Sequence, residues 1–165
     1  MNGLIIRPCR VTDAPGLGAL YHRAVHEGAA PRYTKAQRQA WSPAPPNDEA
    51  WRRRLIEADT ILAERDDHPL GFMTLDLGSG WLDFAYVAPE AMGQGVGETL
   101  YAVLEGRARA AGLTRLETEA SLLAEGFFAR RGWRVMTRQN VERRGTPIPN
   151  ALMAKDLTQK RKLAA

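Results

Sequence analysis

Leu4-Ile5-Ile6 form a short apolar run closed by Arg7-Pro8, the pattern of a first strand. Ala14, Leu17, Leu20, Tyr21, Ala24 and Val25 then recur at three- and four-residue spacing. That periodicity predicts a helix to about residue 27 with one apolar face, opened by Thr12 or Asp13 as cap with Pro15 just inside. The stretch 28–46 is less regular. Its residues 34–41 predict a short helix, and Ser42-Pro43-Ala44-Pro45-Pro46 must leave helical geometry. Asn47 is read as the cap of another helix through about residue 58.

Three apolar runs rich in strand formers follow, at 60–64, 70–77 and 81–88. The short turns between them predict an antiparallel meander. Val96, Leu100, Val103, Leu104 and Ala108 mark the next amphipathic helix, which Gly112 ends. A strand at 113–120, a helix at 122–131 closed by Gly132, and strands at 133–142 and about 151–157 complete the chain, with Arg143-Arg144-Gly145-Thr146-Pro147 as the last turn. The order β-α-α-β-β-β-α-β-α-β-β predicts one mixed α/β (α+β) domain over 1–158. It has a largely antiparallel central sheet of about seven strands, helices on both faces, and a basic tail at 159–165.

Composition narrows the function classes. The 165 residues are 44% hydrophobic, enough to bury a core. The single cysteine, Cys9, allows no internal disulfide, which fits the cytoplasm. No apolar run approaches a membrane span, and the apolar run near the N-terminus is too short for a signal peptide. The net charge of +4 comes from dispersed arginines and Lys160-Arg161-Lys162 rather than from a basic stripe interleaved with aromatics. That distribution argues against a nucleic-acid partner and suits a phosphorylated cofactor equally well.

The chemistry concentrates at Met92-Gly93-Gln94-Gly95-Val96-Gly97, where a strand gives way to a helix. A helix start presents unsatisfied N–H groups and a positive dipole end, and the glycines let the backbone approach an anion.

With its flanks, Val87-Ala88-Pro89-Glu90-Ala91-Met92-Gly93-Gln94-Gly95-Val96-Gly97 resembles the acetyl-CoA motif of the GNAT superfamily of N-acetyltransferases. Ala124-Glu125-Gly126-Phe127-Phe128-Ala129-Arg130-Arg131-Gly132-Trp133 resembles that family's second block, with Ser121 at its asparagine position. Glu119-Ala120-Ser121, Val141-Glu142-Arg143-Arg144-Gly145 and Met153-x-Lys155 are similar to the YafP-like bacterial subgroup. Three positions depart from the pattern. Met92 stands where the family has Gln or Arg, Ser121 replaces asparagine, and Phe128 stands where many members carry a tyrosine that protonates the departing thiolate.

The resemblance implies an acyl-CoA-dependent N-acetyltransferase. Its acetyl-CoA pyrophosphate would lie on Met92, Gly93, Gln94, Gly95, Val96 and Gly97. Its pantetheine would lie along Tyr86 and Val87, near Ser121 and Phe128, and Val87 N–H would be the oxyanion donor. Acetyl transfer to a primary amine of a small molecule, peptide or protein by direct attack needs a base, for which Asp83 and Glu119 are the candidates. Tyr33, Trp41 and Trp51 are candidate walls for the acceptor, with core packing as the competing reading. Cys9 has no His or acid near it in sequence and reads as a packing residue rather than an acyl-carrying nucleophile. His22 and His26 sit one helical turn apart with no third ligand near them, so no metal is expected. A homodimer is compatible with the family pattern. Phe128 and Met92 leave open an alternative, a non-catalytic acyl-CoA-binding regulatory module.

Overall fold

The computed structural model describes residues 3–158. The basic tail containing Lys160-Arg161-Lys162 lies outside the described residues. Seven strands form one sheet in the order β1-β2-β3-β4-β5-β7-β6. They are β1 (Ile5–Pro8), β2 (Asp59–Arg65), β3 (His68–Leu75), β4 (Trp81–Val87), β5 (Arg115–Ser121), β6 (Arg134–Arg143) and β7 (Thr146–Asp156). Every neighbouring pair is antiparallel except β4 and β5, which run parallel.

Five α-helices flank the sheet: α1 (Ala14–Arg23), α2 (Lys35–Trp41), α3 (Glu49–Ile56), α4 (Val96–Ala110) and α5 (Glu125–Ala129). Strand alternation sends adjacent residues of β3 to opposite faces. Phe72 packs on Trp51 of α3, while a side chain at Gly71 would meet Val96 and Leu100 of α4 at 3.1 Å. The core therefore fills both faces, with Leu17, Leu55 and Trp51 on one and Leu100, Leu104 and Trp133 within the same cluster.

Several boundaries differ from the sequence reading, each for a local reason. The first helix ends at Arg23 and continues as a π-helical turn, Ala24–Gly28. Asp13 spends its carboxylate on the Arg10 N–H and the Arg7 guanidinium, and a 3-10 turn (Val11–Asp13) precedes α1. The cap of α3 is Asp48 rather than Asn47, its carboxylate accepting Trp51 N–H at 2.8 Å. The short helix 34–41 is present as α2, opened by a reciprocal Thr34–Gln37 capping box. The helix expected over 122–131 is only α5, because Ser121 turns the chain first by accepting Ala124 N–H. The last strand starts at Thr146, since Arg144 (φ 48°) and Gly145 (φ 76°) complete the hairpin turn in two residues.

A second, smaller apolar cluster of Ala29, Tyr33, Ala40 and Ile148 fixes the β6–β7 hairpin to α2. Polar bonds reinforce it: Tyr33 Oη donates to Pro149 O at 2.7 Å, Gln37 Nε2 to Pro147 O at 3.3 Å and Arg144 to Ala40 O at 2.7 Å.

Candidate active site

The parallel pair β4–β5 is in register only at Trp81–Glu117 and Leu82–Thr118. Beyond those residues the strands diverge and open the sheet. Ala88 N–H donates to Leu70 O on the β3 side. Because backbone groups alternate along a strand, Val87 N–H and Ala85 N–H face the other way, into the opening.

At the top of that opening the chain passes through the turn Pro89–Ala91 and enters α4. Gly95, the N-cap residue, has φ 83°, and Gly93 has φ 75°, a conformation that a side chain would strain. No side chain caps this helix start. Among the described residues no acceptor takes the N–H of Gly93, Gly95, Val96, Gly97 or Glu98. Unpaired donors at and just before a helix start are what an anionic pyrophosphate requires. A Cβ on Gly97 would sit 3.2 Å from Phe127 and 3.6 Å from Val87, so the bare backbone here lets α4 close on the cleft wall.

Below this cradle lies a cleft of about 280 Å³, whose walls include Met92, Val96, Val87, Leu123, Phe127 and Phe128. Phe128, 1% exposed, packs against Trp133 and Tyr101. Met92 is exposed and lines the cleft. Gln94 turns away: its Nε2 donates to Glu90 O. The free donors and the largely apolar channel leading from them into the sheet fit a coenzyme A, with its charged end at the helix start and its pantetheine beside β4.

A second cavity of about 70 Å³ continues from the cleft on the β5–β7 side. It brings together Asp83, Glu119, Tyr33 and Trp41 with Tyr86. Asp83 is held bidentately by Arg54, at 2.8 and 3.1 Å, and that guanidinium also lies 4.3 Å from the Phe84 ring centre. Glu119 is exposed, and its carboxylate makes no hydrogen bond or ion pair with the described residues. Tyr33 also accepts Leu122 N–H at 2.9 Å, so its hydroxyl ties three segments together.

Trp51 does not belong to this wall. It is 4% exposed in the core, its indole N–H bonded to Ala14 O at 2.9 Å. The core reading of that aromatic is the one observed, because α3 lays it across Phe72 and Phe84. Ser121 borders both cavities, its oxygen accepting Ala124 N–H while its proton stays free to donate. Cys9 borders neither, and burial pushes its thiol up to about 11. His22 Nδ1 pairs with Ser42 Oγ and His26 Nε2 with Ser42 O, both at 2.7 Å, pinning the end of α2 to α1.

Asn150 and Arg54 were missed. Asn150 stands across the ladder from Ser121 and lines the acceptor-side cavity with a buried Oδ1 that has no partner. Neither lies near a motif in sequence: strand pairing brings Asn150 here, and Arg54 reaches Asp83 from α3.

Known proteins resemble this chain in sequence and in fold. A family model described as "Acetyltransferase (GNAT) domain" matches residues 29–156. The uncharacterized N-acetyltransferase YafP of Escherichia coli is 29% identical over 153 residues, 93% of this chain and 96% of that one. A GCN5-related N-acetyltransferase from Rhodopseudomonas palustris superposes with a TM-score of 0.88 at 32% identity, covering 95% of this chain and 98% of that one. The PaiA N-acetyltransferase of Thermoplasma acidophilum, solved in complex with coenzyme A, gives 0.72 at 18% identity, covering 93% and 98%. The chain belongs to the GNAT family and is an acyl-CoA-dependent N-acetyltransferase with acetyl-CoA as its cofactor.

Proposed function

We propose that this acetyltransferase modifies a primary amine of a small molecule or peptide by direct attack within a ternary complex. One observation carries the reading: the strand opening joins the free N–H cradle of α4 to a cavity that holds an unpaired carboxylate. When bound, acetyl-CoA supplies the activated acyl group as a thioester. Val87 N–H is directed at the acyl oxygen and stabilises the charge that develops there. The amine arrives mostly protonated at neutral pH and must lose a proton before it reacts. Glu119 is the base in this reading, because among the described residues no cation pairs with its carboxylate. Asp83, whose oxygens are both bonded to Arg54, positions that guanidinium and the cavity wall.

Tyr33 and Trp41 line the acceptor side, and aromatic faces favour a cationic ammonium. Ser121 faces the cofactor with its free O–H. No acyl-enzyme on Cys9 is involved, since the half-buried thiol lies outside both cavities.

The test measures coenzyme A release from acetyl-CoA with alkylamines, amino acids and lysine-containing peptides. Release that depends on the amine and saturates with both substrates, with intersecting rather than parallel double-reciprocal lines, supports a ternary complex. Acetyl-CoA binding with no transfer to any member of the panel would overturn the reading.

A further inference from the structure

The acceptor cavity holds a side chain that the acetyl-transfer reading leaves unused. Asn150 lines it, with an Oδ1 that is buried and has no hydrogen-bond partner among the described residues. A carbonyl oxygen sealed away from water without a donor is costly, and a ligand that brings it an N–H recovers that cost on binding.

The other polar side chains around this cavity are engaged elsewhere. Asp83 is bonded twice by Arg54. Tyr33 Oη donates to Pro149 O and accepts Leu122 N–H, Thr118 Oγ1 donates to Leu82 O, and Ser121 Oγ accepts Ala124 N–H. Tyr86 and Trp41 turn their polar ends toward the Tyr21 hydroxyl. Among the described residues, the Glu119 carboxylate and Asn150 Oδ1 are left as the unclaimed side-chain acceptors of the cavity.

The β5–β7 ladder sets these two groups apart by a defined span. Glu119 pairs with Leu152 and Ser121 with Asn150, so Glu119 and Asn150 are diagonal neighbours. Strand alternation sends both to one face of the sheet, and diagonal positions lie about 7 Å apart. That span suits a single nitrogen held between the two side chains by bonds of about 2.9 Å.

We propose that Asn150 is a specificity-determining residue that accepts an N–H of the acceptor amine and restricts transfer to primary amines. The inference rests on the acetyl-transfer reading and deepens it. A bound primary ammonium has three hydrogens. One passes to Glu119 as a proton and frees the lone pair that forms the C–N bond. The C–S bond breaks with its electrons on sulfur, a second hydrogen leaves nitrogen as a proton, and the departing sulfur ends as the coenzyme A thiol. The third stays in the product amide, held by Asn150 Oδ1 throughout. A secondary amine has one hydrogen fewer. Its amide carries no N–H, and its extra carbon is pressed against the unpaired oxygen.

The experiment compares kcat/KM for the best primary amine of the panel and its N-methyl derivative, with butylamine and its isomer N-methylpropylamine as a pair of equal size. Wild type should favour the primary amine about 50-fold in each pair, the scale of one buried acceptor left unpaired. Asn150→Leu keeps the bulk and removes the acceptor. It should shrink the preference to within about fivefold, chiefly by slowing the primary amine, at unchanged acetyl-CoA affinity in calorimetry. Asn150→Ala, which also opens space, should slow the primary amine as well. Equal use of primary and secondary amines by wild type overturns the inference, as does a full preference retained in Asn150→Leu. An Asn150→Ala variant that only speeds the N-methyl amine would make Asn150 a wall and overturn it too. Failure of wild type to acetylate any amine would instead overturn the acetyl-transfer reading on which the inference rests.

Discussion

The two halves of the cleft are built on opposite principles. The cofactor side is made of backbone from one continuous segment, Pro89 through Glu98, in which turn, glycines and helix start follow one another. The acceptor side is made of side chains from the segment around α2, from β4, from β5 and from β7, which only the sheet order brings together. A backbone cradle tolerates side-chain change, as Met92 illustrates, whereas an assembled cavity depends on each residue that lines it. The comparison predicts that substitutions on the two sides separate cofactor binding from turnover.

The largest effect falls on the acceptor side. Glu119→Gln should lower kcat about 100-fold, the scale of a lost general base, while calorimetry shows acetyl-CoA binding unchanged. Asp83→Asn should cost less than tenfold, because that carboxylate is already committed to Arg54. The reverse ranking would make Asp83 the base. On the cofactor side, Gly95→Val puts a β-branched residue at φ 83° and should weaken acetyl-CoA binding about 50-fold. In that variant the acceptor KM, measured at saturating acetyl-CoA, should stay within twofold.

The same contrast explains what the sequence could reveal. Gly93, Gly95 and Val96 lie within four residues of chain, so a glycine turn running into a helix start was legible there as a motif. The seven-strand mixed sheet was legible from the element order. Asn150 was not, because β7 lies beside β5 only after β6 has crossed to the outer edge, nor was Arg54, which reaches Asp83 on β4 from α3, 29 residues earlier in the chain. Trp51 looked like Tyr33 and Trp41 in sequence. It differs because α3 turns it toward Phe72, while Tyr33 and Trp41 sit under the β6–β7 hairpin. The length of α5 depended on the Ser121 hydroxyl, a local bond that helical periodicity does not encode.

One ion pair holds the two sides in mutual register. Glu105 on α4, the helix that begins in the cradle, bonds Lys155 on β7 at 2.8 Å. Burial alone would raise the Glu105 pKa. Hydrogen bonds from Lys155, Tyr101 and Arg109 outweigh it and pull the value down to about 2, against an ordinary 4.5. A carboxylate depressed in the folded state adds stability that is complete above about pH 4.5 and is lost as pH falls through about 2. Lys155→Met should therefore cost about 2 kcal/mol at pH 7 in urea titrations, and the gap to wild type should narrow between pH 4.5 and 2. A gap that stays constant with pH would assign the loss to packing.

The smallest effect tests whether the acceptor side depends on being roofed. Tyr33 Oη joins Pro149 O on β7 and Leu122 N beside β5, so it sets the distance between the hairpin and the strand that carries Glu119. Tyr33→Phe keeps the ring and the apolar cluster with Ile148 but removes both bonds. A lost hydrogen bond is worth about 1 kcal/mol, so the acceptor KM should rise about fivefold as the roof loosens. The cradle lies on another segment, and its acetyl-CoA affinity should not move. If both affinities fell together, the two sides would be mechanically one structure, and the division between backbone cradle and assembled cavity would describe only how they are made.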